Sequence, residues 1–257
     1  MRFRLGGCAV ALVLVLSACG VDSGSDSAAP DAAAAETMEL GELASARDTL
    51  PPAPRTATSL TVLLTHTGGA TDPGLDAAAA ALAQRPDIRV AIAATGASPD
   101  GAVTMSGFPV TVVDGTDLVA STIAATGDVP ELVVVGIDRT DVPGDAESIA
   151  TAAAHAGVPA LVVAVEGGDQ VDHAAAAMQL LEVLDLELDA LLDEPAAVHR
   201  LLVPSCRSGS LRGRLVVRPA PVAASLGPSD CTSTDRSVPD DEPSAVGAGY
   251  ASLSRLP

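Results

Sequence analysis

From Leu60 onward, short β-branched apolar runs alternate with Ala-rich stretches whose apolar residues recur at helical spacing. The runs 61–65 (Thr-Val-Leu-Leu-Thr), 88–93, 110–113, 132–137 and 160–165 read as strands. Short, uninterrupted aliphatic segments bounded by turn residues suit a strand that is covered on both faces. The first helix is capped by Thr71 or Asp72, carries Pro73 in its first turn and runs to about Arg85, a combination that starts helices well. Further helices are predicted over 116–126 and 146–156. A longer one, from about Val171 to Leu192, aligns Val171, Ala175, Met178, Leu181, Leu184 and Leu188 on one face. Its acids Glu182, Asp185, Glu187 and Asp189 read as a solvated face. Strands alternating with helices predict a mainly parallel sheet covered on both sides, and right-handed crossovers make it an α/β, three-layer Rossmann-like sandwich. After it, 200–203, 212–218 and 250–253 read as strands of a loop-rich C-terminal β extension.

The pattern before Leu60 is different. Arg2 and Arg4 precede an apolar run from Leu5 to Leu16, and Leu16-Ser17-Ala18-Cys19 follows. A basic start, about a dozen apolar residues and a small-residue cleavage site make an export signal. The run falls short of the roughly 20 residues of a membrane span. Leu-Ser-Ala-Cys also matches the bacterial lipobox, so residues 1–18 are expected to be removed and Cys19 to be lipidated. That would anchor the protein to the outer face of the cell membrane. The alternative is a simple secretory signal cut near Ala18. Residues 19–57, rich in Ala, Ser, Asp and Pro, read as a disordered tether. Residues 58–257 are then one domain, long enough to bury a core.

Composition sharpens this picture in three ways. With Cys8 in the signal and Cys19 lipidated, Cys206 and Cys231 remain, and in an oxidising compartment such a pair is usually a disulfide. Beyond Cys19, 12 Arg stand against 33 acidic residues, a net charge of −21. A field of that sign repels nucleic acid, so no nucleic-acid partner is expected. Lys and Asn are both absent, as in the GC-rich genomes of actinobacteria.

Ligands of such sheets sit beyond the carboxyl ends of the strands, where the strand order reverses. Two loops belong there. Residues 65–74 (Thr-His-Thr-Gly-Gly-Ala-Thr-Asp-Pro-Gly) lead from the first strand into the first helix. The Gly68 and Gly69 backbone could meet a phosphate there, although a plain strand-to-helix turn is the simpler account of the sequence. Residues 136–145 carry Asp138, Asp141 and Asp145, and carboxylates suit a hard cation. His155, His173 and His199 form no spacing motif. Arg200, Arg207, Arg212, Arg214 and Arg218 read as solvated residues paired with nearby acids.

Several segments resemble, in order, the SurE family of metal-dependent nucleotidases and phosphatases. Val62-Leu63-Leu64-Thr65 with the following Gly-Gly turn and Asp72-Pro73-Gly74 is similar to the family's I-L-L-T-N-D-D-G opening. Gly115-Thr116-Asp117, the 130–138 run Pro-Glu-Leu-Val-Val-Val-Gly-Ile-Asp, the 156–163 run and the closing Gly249-Tyr250-Ala251-Ser252-Leu253 follow the family's later motifs. The paired cysteines look like those of its secreted actinobacterial members. The resemblance spans about residues 60–256 and implies a divalent metal (Mg, Mn or Zn), a nucleotide or phosphomonoester ligand, and a homodimer.

The same resemblance implies a damaged metal site. The family's Asn-Asp-Asp stretch is occupied by His66, Thr67 and Gly68, so both metal-binding carboxylates are missing. Asp138 stands at the family's Asn ligand, and Ser98 is the candidate for its Ser ligand. A remodelled metal site would therefore use Asp138, His66, Thr67 and Ser98. Two functions follow: a domain that binds without efficient turnover, or an active phosphomonoesterase rebuilt around these residues and Asp141.

Overall fold

The computed structural model describes residues 59–66, 68–94, 101–113, 118–127, 129–140, 145–168, 170–220 and 228–257. The segments expected to be export signal and tether, with Cys19, and Thr67, Ser98, residues 115–117 and Asp141 lie outside them.

Six strands follow the predicted series: β1 (Leu60–His66), β2 (Ile88–Ala94), β3 (Thr111–Val112), β4 (Leu132–Arg139), β5 (Ala160–Val165) and β6 (Val198–Val203). Two more, β7 (Arg214–Val216) and β8 (Ala251–Arg255), complete one sheet in the order β3-β2-β1-β4-β5-β6-β8-β7. β1 to β6 run parallel; β8 is antiparallel to β6 and parallel to β7. This is the expected α/β sandwich with a β extension at one end.

The helices α1 (Pro73–Leu82), α2 (Leu118–Thr126), α3 (Ala146–His155) and α4 (His173–Leu192) cover the sheet. Side chains alternate across a strand, so Val62 and Leu64 meet Leu75, Ala78 and Leu82 of α1 and Leu180 and Leu184 of α4. Leu63, Val133 and Val135 meet Val119 of α2 and Ile149, Ala150 and Ala153 of α3 on the other face. At about 25 cal/mol per Å² of buried apolar surface, these two aliphatic layers are the main favourable term of the fold. α1 reaches the sheet because residue 74 is glycine: a Cβ there would stand 2.0 Å from the Ile137 carbonyl oxygen.

Three expectations need correction. α4 begins at His173 with Asp172 as its cap, whose side chain accepts from Ala175 N–H at 2.9 Å. Its buried face is Ala176, Ala177, Leu180, Val183, Leu184 and Leu191, while Met178 is 71% exposed. Of the expected face, Leu184 is buried and Val171, Ala175, Leu181 and Leu188 pack partly buried against the core, so Met178 is the residue that departs from it. A fifth, short helix, α5 (Glu242–Gly247), stands where only loop was expected; Asp241 caps it by accepting from Ser244 N–H. Arg200 is not solvated: it is buried in β6 and paired with Glu242 and Glu147. Of the other arginines, Arg214 pairs with Glu187 of α4, exposed Arg218 with Asp240, and Arg212 stacks 4.4 Å over the Tyr250 ring.

Cys206, just after β6, is bonded to Cys231, with Cα atoms 5.6 Å apart. The bond ties the C-terminal extension to the carboxyl edge of the sheet.

Candidate functional site

The chain leaves β1 for β2 on one side and later returns to β4 on the other, so the strand order reverses between β1 and β4. The carboxyl ends of these two strands flank the crevice such a reversal creates.

His66 is the last residue of β1, and its side chain is 4% exposed. The chain then folds back on the ring: Gly68 N–H donates to Nδ1 at 2.7 Å. Asp72 caps α1 as predicted, its Oδ1 accepting from Gly74 N–H at 2.7 Å. Asp138 lies near the end of β4, past a β-bulge between Val135 and Asp138. These three groups converge. His66 Nε2 is 2.9 Å from Asp138 Oδ1 and 3.3 Å from Asp72 Oδ1. Among the described residues, both Nε2 and Asp138 Oδ2 are buried without a hydrogen-bond partner. Buried polar atoms of that kind are uncommon and mark a special environment.

The electrostatics follow from the packing. Burial disfavours a charged His66 ring, but the adjacent Asp138 and the charge of Asp72 outweigh it, and the pKa is raised above 6.5. Gly68 resists the second proton, because both ring nitrogens of an imidazolium are donors. His173, the first residue of α4, behaves oppositely: burial lowers its pKa, and it feels the charges of Asp72, Arg139, His66 and Asp172. His173 is thus within electrostatic reach of His66 and Asp72, which its sequence context did not reveal. A separate, open cavity of about 210 Å³ is lined by Gln170, Val171, Asp172, Ser205, Cys206 and Arg207, where α4 begins and β6 ends. Beside it Glu166, directly after β5, is buried and accepts from Ser205 N–H, Ser229 N–H and Ser229 Oγ.

Among solved structures, the SurE protein from Aquifex aeolicus is similar with a TM-score of 0.53 and 18% identity, over 76% of this chain and 92% of that one. The fold is SurE-like. No protein-family model matches the sequence, and no curated protein matches it.

The residues singled out in the sequence divide accordingly. Asp138 and His66 are brought together, with Asp72 as a third partner; Thr67 and Ser98 lie outside the described residues. The Gly68 N–H is spent on His66, so it does not point at a phosphate. A side chain at Gly68 would have its Cβ 2.8 Å from both Asp72 Oδ2 and His66 Cε1, so those two side chains would have to shift to admit it.

Would these residues hold the divalent metal that the resemblance implies? A neutral histidine that binds metal through Nε2 must carry its proton on Nδ1, where it normally donates to a carbonyl or carboxylate. Here Nδ1 faces a backbone N–H, donor against donor. Asp72 Oδ1 is occupied in capping α1. Among the described residues no group of three His, Cys, Asp or Glu converges as a metal ion requires. The described donor set does not fit a divalent cation, and His66 is a poor ligand in this arrangement for a physical reason: its free nitrogen is the protonated one.

Proposed function

We propose that this chain is an exported lipoprotein, held by Cys19 to the outer face of the cell membrane, whose SurE-like domain binds a ligand or protein without efficient phosphatase turnover. In this reading residues 1–18 are the signal, 19–57 the tether and 58–257 the domain, which pairs with a second copy. The observation that carries the functional part is the His66–Gly68–Asp72 packing. It occupies the space after β1 where the hydrolytic members of the resembled family need carboxylates, and several anionic oxygens at fixed geometry are what a phosphate-clamping cation requires. The ligand class supported by the resemblance is a nucleotide or another phosphomonoester.

Calorimetric titration of the chain with Mg²⁺, Mn²⁺ and Zn²⁺, with and without AMP, tests this beside an assay for released phosphate. We expect no phosphate release above background under any of these conditions. A second reading, an active phosphomonoesterase with a rebuilt site, draws on the unpartnered Asp138 Oδ2. Metal-dependent release that disappears in Asp138→Ala would establish that reading and overturn the first. The anchor is tested separately: labelled palmitate should enter the wild-type protein in its bacterial host and should be absent from Cys19→Ser. Equal labelling of both would remove the lipoprotein assignment.

A further inference from the structure

We propose that the His66 imidazole stands in for a metal ion: its Nε2–H fills the space between Asp72 and Asp138, holds the carboxyl ends of β1 and β4 together, and closes this site to divalent cations. This deepens the reading of a site without metal-dependent turnover, and rests on it, by naming the side chain responsible.

Three independent observations support it. The first is the tautomer. With Gly68 N–H donating to Nδ1 at 2.7 Å, the neutral ring keeps its proton on Nε2. The second is position. Nε2 lies 2.9 Å from Asp138 Oδ1 and 3.3 Å from Asp72 Oδ1, so a proton-bearing nitrogen sits between two carboxylates that would otherwise repel each other. The third is closure. The ring is 4% exposed, and a Cβ at position 68 would stand 2.8 Å from its Cε1 and from Asp72 Oδ2. A cation entering here would have to displace the ring and break the Gly68 contact. The same nitrogen lies against the Oδ1 atoms of the two carboxylates that would serve as ligands.

The inference predicts a gain of function on removing the ring. In His66→Asp, three carboxylates, at 66, 72 and 138, would surround the vacated volume, and more anionic oxygens bind a hard cation more tightly. Binding of Mn²⁺ alone, measured on the full chain by the spectroscopic signal of the free ion, should tighten by at least about tenfold over wild type, since ligand charge count sets such affinities. His66→Ala should show a smaller gain in the same direction. On wild type, long-range proton–nitrogen NMR of the ring at alkaline pH should find the proton on Nε2, unchanged by added Zn²⁺.

Wild-type Mn²⁺ binding that weakens in His66→Ala would overturn the inference, because the ring would then be a ligand. So would no gain in either folded variant, or a ring protonated on Nδ1. The NMR measurement decides the matter on wild type if neither variant folds. Failure here is distinguishable from failure of the proposed function: phosphate release by wild type overturns that function, whereas these outcomes are read from metal binding and the tautomer alone.

Discussion

Glu242→Ala is expected to lower the unfolding free energy by about 3–5 kcal/mol, the usual consequence of removing one partner from a buried ion pair. Glu242 is 1% exposed and Arg200 4%. Arg200 Nε donates to Glu242 Oε1 at 2.9 Å, Arg200 Nη2 to Glu242 Oε2 and to the Ala220 carbonyl oxygen, and Arg200 Nη1 to Glu147. Ala220 N–H and Ser254 Oγ both donate back to the Glu242 carboxylate. One carboxylate thus joins β6, β8, α5 and the segment after β7. Without it, Arg200 keeps, among the described residues, the half-exposed Glu147 as its charged partner. The desolvation of an unpaired guanidinium is then uncompensated. Glu147→Ala, which leaves the buried pair whole, should cost much less. Urea midpoints for the two single variants and for Arg200→Met with Glu242→Leu measure this. The double variant should recover most of the loss, because well-packed apolar residues commonly replace a buried pair without penalty. A midpoint for Glu242→Ala equal to wild type would show that the network contributes nothing.

Removing the disulfide is the second large effect. Cys206 and Cys231 are 25 residues apart, and closing a loop of that length restricts the unfolded chain by about 3.5 kcal/mol on the chain-entropy model. Cys206→Ser with Cys231→Ser, or reduction by a dithiol, should lower stability by that order. A local effect should accompany the global one. Ser229 supplies two of the hydrogen bonds that satisfy buried Glu166, and it is held there by the neighbouring bridge. Faster amide exchange at Ser229 and Ser205 than elsewhere in the reduced protein is the expected signature. Identical unfolding curves with and without reductant would contradict the assignment.

The central strands were legible because they are buried on both faces: β5 is an uninterrupted aliphatic run and β1 and β4 each hold an aliphatic core (Val62–Leu64 and Leu132–Val135), a signal that needs no tertiary context. The carboxyl edge was legible too, and with it Asp72 as cap and Asp138 as a candidate. What the pattern did not carry was anything decided by a close approach. On α4 the helical spacing found most of the packed face, but Ala176 and Ala177 also lie buried against the core while Met178 does not, a choice made by close packing and not by spacing. α5 is announced by Asp241 and Pro243, yet those residues also mark loops. Arg200 sits between His199 and Leu201 inside an apolar strand, which was the available hint of a buried partner. The role of His66 depends on Gly68 folding back on the ring, and that of His173 on where α4 begins relative to Asp72. Neither leaves a trace in residue spacing.

The sheet order also dictates an order of assembly. β7 comes before β8 in the sequence, but among the described residues β8 is its one neighbour in the sheet. Until the chain has continued as far as β8, β7 has no edge to dock on, and the buried charges of Arg200 and Glu242 lack Ser254. Completion of this end of the sheet is therefore a late, long-range event in folding. A stalled or clipped molecule that lacks β8 forfeits two strands and exposes the flank of β6, an open edge of the kind that other chains can join.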